Sequence, residues 1–303
     1  MYLKYFDLNE FPFVLAPDTH YFCNLPSHHE ALNVLLLSLR SGEGFIKIIG
    51  EVGMGKTLLC RELLNELSDD EYVTAYITNP FFNYSGFQKV LARELSVCFD
   101  DKIEQQDLLN LINEKLLKIH AMGKHVVVVI DEAQALSDQC LEGLRLLSNL
   151  ETESEKLLQI ILFGQPELDT RLNRPNLRQL KQRIAFSYYL RPVNRLELED
   201  YINHRLFKAG NKQGALFLKK SLDLLFRASH GIPRLINILC HKALIAAYGS
   251  GKRKVDCKAI RLAIRDTDSV RVSIQYSYLL MIIITLFLLS LALEIYLILR
   301  WYL

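Results

Sequence analysis

The 303-residue chain has little that would mark it as secreted, fibrous or disordered. Its six cysteines, Cys23, Cys60, Cys98, Cys140, Cys240 and Cys257, include no CxxC pair. That excludes a zinc ribbon and a dense disulfide framework, and it points to a reducing compartment. Cys240 and His241 adjoin within a helical pattern, but with no second pair nearby they read as core or surface residues rather than as metal ligands. Fourteen glycines and eight prolines are too few for a low-complexity or collagen-like chain. A formal net charge of +2 provides no global field for nucleic acid. The opening MYLKYFDLNEFPFVLAPD lacks the basic and apolar regions of a secretory signal, which places the body in the cytoplasm. What is present is a globular composition, half hydrophobic and 23% charged, long enough for one large domain or two ordinary ones.

One long apolar run stands apart. Tyr276 to Leu299, YSYLLMIIITLFLLSLALEIYLIL, is 24 residues long, and a helix needs about 20 to cross a bilayer core. It reads as a transmembrane helix. Lys252, Arg253, Lys254, Lys258, Arg261, Arg265 and Arg271 precede it and only Arg300 follows, so the body faces the cytoplasm and residues 300–303 form a short tail on the far side. Glu294 within the run is either a partner-pairing acid or an interfacial one. Upstream, short β-branched runs at 45–49, 72–78, 126–130, 157–163 and 184–190 alternate with helical patterns at 58–67, 87–98, 108–121 and 141–150. This is the alternation of a parallel α/β sheet covered on both faces. After Arg191-Pro192 only helical patterns follow, at 196–209, 216–229, 232–248 and 256–266. The expected organisation is an α/β core over 1–193, a small helical domain over 194–270, and the span over 276–299.

GEVGMGKT, Gly50 to Thr57, fits GxxxxGK[ST] between a strand and a helix. Gly50, Gly53 and Gly55 let the backbone N–H groups of Glu51, Val52, Met54 and Leu58 and the helix N-terminus face phosphates. Lys56 supplies a point charge and Thr57 a hydroxyl for Mg²⁺. VVVVIDEAQ ends an apolar strand in two carboxylates: Asp131 suits the Mg²⁺ shell, and Glu132 can orient and polarise an attacking water. Gln165, after the strand at 157–163, is either a polar group reaching the terminal phosphate or a turn residue in its Gly-x-Pro bend. Arg171, Arg174, Arg178, Lys181 and Arg183 crowd the segment before the last strand. One of them can act in trans on a neighbouring subunit's nucleotide, Arg183 first and Arg178 second. Arg234 in GIPR is either a lid arginine that swings onto the nucleotide or a surface residue of a first helical turn.

The order of phosphate loop, DEAQ, GQPEL, QRI and GIPR, together with the opening PF and PD motifs and the helix near a histidine in NLPSHHEAL, resembles the AAA+ ATPases of the ExeA, or general secretion pathway protein A, family over residues 1 to about 265. In layout the chain is most similar to the MshM-type proteins of mannose-sensitive haemagglutinin pilus biogenesis. The resemblance implies a P-loop AAA+ core with a helical lid and ATP with Mg²⁺ as cofactors. It adds Pro12 and Phe13 to the nucleotide pocket, gives sensor roles to Gln165 and Arg234, and makes Arg183 the finger. It also implies ATP rather than GTP, since no NKxD motif is present. Longer family members continue into a periplasmic peptidoglycan-binding domain, whereas this chain stops at Leu303, so direct binding to peptidoglycan is not expected. The expected protein is a single-pass ATPase of the bacterial inner membrane with a periplasmic C-terminus. It would form a homo-oligomer, touch inner membrane lipids and drive assembly of a type IV pilus or type II secretion complex through partners with periplasmic domains. The alternatives are a nucleotide-dependent switch or scaffold with slow hydrolysis and, further off, a DNA-handling AAA+ protein.

Overall fold

The computed structural model describes residues 2–268 and 270, apart from 79, 152–155 and 213. Its strands are β1 (Phe45–Ile49), β2 (Tyr72–Ile77), β3 (His125–Ile130), β4 (Leu158–Gly164) and β5 (Ile184–Tyr189). Its helices are α1 (Tyr2–Tyr5), α2 (Pro26–Arg40), α3 (Lys56–Glu66), α4 (Tyr84–Glu94), α5 (Gln105–Ala121), α6 (Asp138–Leu147), α7 (Pro166–Leu172), α8 (Arg178–Arg183), α9 (Arg195–Lys208), α10 (Lys219–Ser229), α11 (Pro233–Gly249) and α12 (Cys257–Arg265). Every strand and long helix read from the body of the sequence is present within a few residues. The short α7 and α8 were not legible, because seven and six residues are too few to display a 3.6-residue period.

Two compact units result: Ala16–Pro192, and the described residues of Met1–Leu15 with Val193–Leu303. In the first, five parallel strands pair in the order β2-β3-β4-β1-β5. β1 and β4 are buried at every residue, and β3 at all but its first, which is why they read as largely apolar runs, with Lys47 in β1 and Gln159 in β4 as the buried polar exceptions. On one face Val126, Val128, Ile130, Ile160 and Leu162 meet Phe87 and Leu91 of α4, Ile112 and Leu116 of α5, and Leu141 and Leu144 of α6. Each such buried aliphatic side chain stabilises the fold by about 1.5–3 kcal/mol. Helices α2 and α3 pack on the other side. Parallel pairing aligns Ile49 with Gly164 and Ile130 with Leu162, so the residues that follow β1, β3 and β4 emerge along one carboxyl edge.

The second unit is helical. Residues 2–15 belong to it and not to the α/β core in which the sequence reading places them. The reason is a set of specific contacts. Tyr2 Oη is 2.9 Å from His241 Nδ1, Phe13 stacks edge-on against Phe217 with ring centres 6.2 Å apart, and the amide of Asn9 donates to the carbonyl of Ala209 at 2.8 Å. The buried Arg205 of α9 donates from Nε to Pro12 O at 2.7 Å, from one terminal nitrogen to Val14 O at 3.1 Å and from the other to Tyr201 Oη at 3.1 Å. A buried guanidinium needs such partners, and two main-chain carbonyls of the N-terminal segment supply them. Among the described residues no helix is long and apolar enough to cross a membrane. The span read at 276–299 lies outside the described residues.

Candidate nucleotide-binding and hydrolysis site

Beyond β1 the chain turns sharply before α3. Gly53 and Gly55 hold φ of +84° and +90°, values that other residues adopt only with strain. Gly55 has a second reason to lack a side chain, since an added Cβ would lie 3.0 Å from His28 Nε2. That same nitrogen is 2.9 Å from Met54 O. A carbonyl can only accept, so His28 carries its proton on Nε2 and braces the loop from α2. Lys56 is almost fully buried, and its ammonium donates to Gly50 O at 2.8 Å and Glu51 O at 3.1 Å. Burial pulls its pKa below the ordinary lysine value, opposed by Glu132 and Asp131.

Thr57 and Asp131 meet directly: the threonine hydroxyl donates to Asp131 Oδ2 at 2.5 Å, while the Glu132 amide donates to Oδ1 at 2.9 Å. Burial pushes the Asp131 carboxyl above its usual range, and the Thr57 hydrogen bond opposes that. Glu132 stands in the left-handed region at φ +53°. Its Oε2 accepts from Gln165 Nε2 at 2.9 Å and from the Gln134 side-chain amide. The Gln165 main-chain amide in turn donates to Gln134 Oε1 at 3.1 Å. Arg171 of α7 donates to Gln134 O at 2.7 Å and also reaches Leu136 O and Asp138. Asp138 is held below the ordinary carboxylate range by hydrogen bonds from Arg171 and Asn176.

These residues fit a magnesium nucleotide. A hydroxyl and a carboxylate, adjacent and all oxygen, are the donor set Mg²⁺ prefers, and the glycine-cradled loop with its lysine is the matching phosphate site. The carboxyl edge of a parallel sheet, beside the strand where the crossover direction reverses, is also where α/β folds place ligands. Of the residues read from sequence, the structure brings Gly50 through Leu58, Asp131, Glu132 and Gln165 to this one edge.

Arg183 lies elsewhere. It ends α8 just before Ile184, which pairs with Phe45, so it sits at the amino edge of the sheet, roughly 15 Å away along β1. Its guanidinium donates to Ser148 Oγ at 2.8 Å and Arg145 O at 3.1 Å, in an open cleft of about 410 Å³ that Glu43 and Lys156 also line. Arg171 and Arg174 both serve Asp138, which accounts for part of the basic run in that segment. Arg234, Pro12 and Phe13 belong to the helical unit. Arg234 is exposed in the first turn of α11, and Pro12 and Phe13 are buried. Sequence reasoning missed Gln134 as part of the site, counted Arg171 only among the candidate trans arginines, and met His28 only within the NLPSHHEAL resemblance, without a role. Gln134 could have been found as an amide two residues past the second carboxylate, but nothing in the spacing marks His28, which is 26 residues from the carbonyl it meets.

Residues 39–172 match a family described as an AAA domain. Over 271 residues the chain is 42% identical to general secretion pathway protein A of Aeromonas hydrophila, an alignment covering 89% of this chain. The chain spans about half (49%) of that relative's length. Among solved structures it is similar to Cdc6p of Pyrobaculum aerophilum, with TM-score 0.64, 20% identity, and 80% of this chain and 67% of the other covered. It is also similar to the ORC1 protein of Aeropyrum pernix in complex with DNA, with TM-score 0.59, 16% identity, and 84% and 69% covered. At those identities the two structures speak for the fold alone.

Proposed function

The chain belongs to the AAA+ ATPases of the general secretion pathway protein A family, and from that premise we propose that it hydrolyses Mg-ATP to drive assembly of a secretion or pilus complex at the bacterial inner membrane. The observation that carries the reading is the convergence of two hydrogen-bonded pairs, Thr57 with Asp131 and Glu132 with Gln165, beside a glycine-built phosphate loop. When bound, Mg²⁺ neutralises the charge that develops on the phosphates, and Thr57 and Asp131 would hold it. Lys56, now bonded to loop carbonyls, would turn its ammonium to the phosphates. Glu132 would orient water and accept its proton, and Gln165 would hold that carboxylate in line with the terminal phosphate. Phosphoryl transfer asks the protein mainly for positioning and charge, and these groups supply both.

The family resemblance adds finer roles: Arg183 completing a neighbouring subunit's site in a homo-oligomer, Arg234 as a lid sensor, and Pro12 and Phe13 against the nucleotide. The apolar run 276–299 supports a single-pass anchor with the ATPase cytoplasmic and the C-terminus periplasmic. The cations between 252 and 271 suit inner membrane lipids, each contributing about 1 kcal/mol near an anionic surface. Clients with periplasmic domains, in a type II secretion or MSHA-like pilus machine, complete the proposal. The test is to crosslink Glu132→Gln protein in native membranes and identify its partners by mass, alongside Mg-ATP turnover of both forms. Secretion or pilus assembly proteins, with turnover lost in the variant, support the reading. Turnover equal to wild type replaces the motor with a nucleotide-dependent switch, and capture of replication proteins or DNA overturns the assembly role.

A further inference from the structure

The DEAQ turn contains a residue that the chemistry above leaves without a task. Gln134 is tied on three sides. Its main-chain carbonyl accepts from Arg171 of α7 at 2.7 Å, its side-chain Oε1 accepts from the Gln165 amide at 3.1 Å, and its side-chain Nε2 donates to Glu132 Oε2. A main-chain N–H can only donate, so the bond from Gln165 fixes which end of the Gln134 amide is oxygen and turns the NH₂ toward Glu132. Both amides that reach Glu132, those of Gln134 and Gln165, land on the same oxygen, so Oε1 is the one to which neither donates. Glu132 itself stands at φ +53°, a backbone position that needs support from its surroundings.

From this geometry we infer that Gln134 is a positioning residue for hydrolysis. It locks the rotamer of Glu132 by bridging its carboxylate to the start of α7, and so presents Oε1 to the attacking water. Gln165 is the N-terminal cap position of α7 and Arg171 lies in the last turn of the same helix, so α7 grips Gln134 at both ends. α7 is anchored in turn to β1 and the edge strand β5. Its Asp169 pairs with the buried Lys47 of β1 and accepts from Tyr189 Oη of β5 at 2.5 Å. The bridge therefore gives the sheet and α7 a direct hold on the carboxylate that faces the water.

The inference rests on the ATPase reading, and the test separates the two. In the full chain, Gln134→Leu keeps side-chain bulk and removes both the donor and the acceptor. It should lower kcat about 10- to 100-fold, the cost of a misplaced catalytic group, while the Kd for a fluorescent ATP analogue stays within about twofold. Gln134→Glu keeps the acceptor but sets a second carboxylate against Glu132. Its repulsion should displace Glu132 from that rotamer, so kcat should fall at least as far as in Gln134→Leu. Wild-type protein that does not hydrolyse Mg-ATP overturns the ATPase reading and this inference together. Hydrolysing wild type with an unchanged Gln134→Leu kcat, with Kd and kcat lost in parallel, or with Gln134→Glu as active as wild type overturns the inference alone.

Discussion

The two edges of the five-stranded sheet carry different halves of the proposed chemistry, and they are built by different means. At the carboxyl edge the site is made largely of main chain: positive-φ glycines, a helix N-terminus and strand ends held in register, with Lys56, Thr57, Asp131, Glu132 and Gln165 hung from them. At the amino edge Arg183 depends on side chains from separate segments, with Ser148 and the Arg145 carbonyl taking its hydrogen bonds. Roughly 15 Å of β1 separates the two. An arginine so placed cannot serve the phosphate loop of its own sheet, so its proposed use requires another copy of the chain.

The largest effect is expected where that requirement is tested. Under the proposed function, Arg183→Ala should lower turnover about 1,000-fold with ATP affinity retained. Mixing it with Lys56→Ala subunits should restore part of the activity, because each variant supplies the edge that the other lacks. Turnover assays on the mixture decide it, and an Arg183→Ala protein as active as wild type would remove the amino edge from the mechanism. Next, Glu132→Gln should reduce turnover about 100-fold or more while nucleotide binding persists, as a single-turnover assay would show. Gly55→Ala follows. At φ +90° a Cβ costs about 1–2 kcal/mol, and it would press on His28 Nε2, so ATP affinity measured by titration should fall about tenfold.

The smallest effect belongs to Asp138, whose partly exposed pair with Arg171 supports the turn that holds Gln134. Its folded pKa lies below the ordinary 3.8. Its stabilisation is therefore present above that value and lost as pH falls through the lowered one. Asp138→Asn should cost at most about 1 kcal/mol at neutral pH and nothing in strong acid, read from denaturant midpoints across that range.

How much was legible follows the same division. β3 was readable because burial on both faces leaves VVVVI without a polar interruption, whereas the half-buried β2 and the largely exposed β5 were marked by their β-branched and aromatic residues. The phosphate loop was readable because its geometry demands glycine at fixed spacing. The DEAQ carboxylates could be placed because they directly follow such a strand. His28 could not, since its role depends on α2 folding back against a loop 26 residues later. Residues 2–15 were assigned to the wrong unit because the Pro12 and Val14 carbonyls meet Arg205, a partner some 190 residues away that no local pattern announces.

The sequence by itself determined the parallel α/β core, the helical unit that follows it and the identity of the groups that would meet phosphate and magnesium, because those depend on local periodicity and on backbone needs that particular residue types alone satisfy. The tertiary structure alone decided which amide steadies Glu132, which histidine braces the loop and on which edge Arg183 stands. Each of those depends on strand order and on side chains meeting across long stretches of chain, where packing, not spacing, fixes the distance.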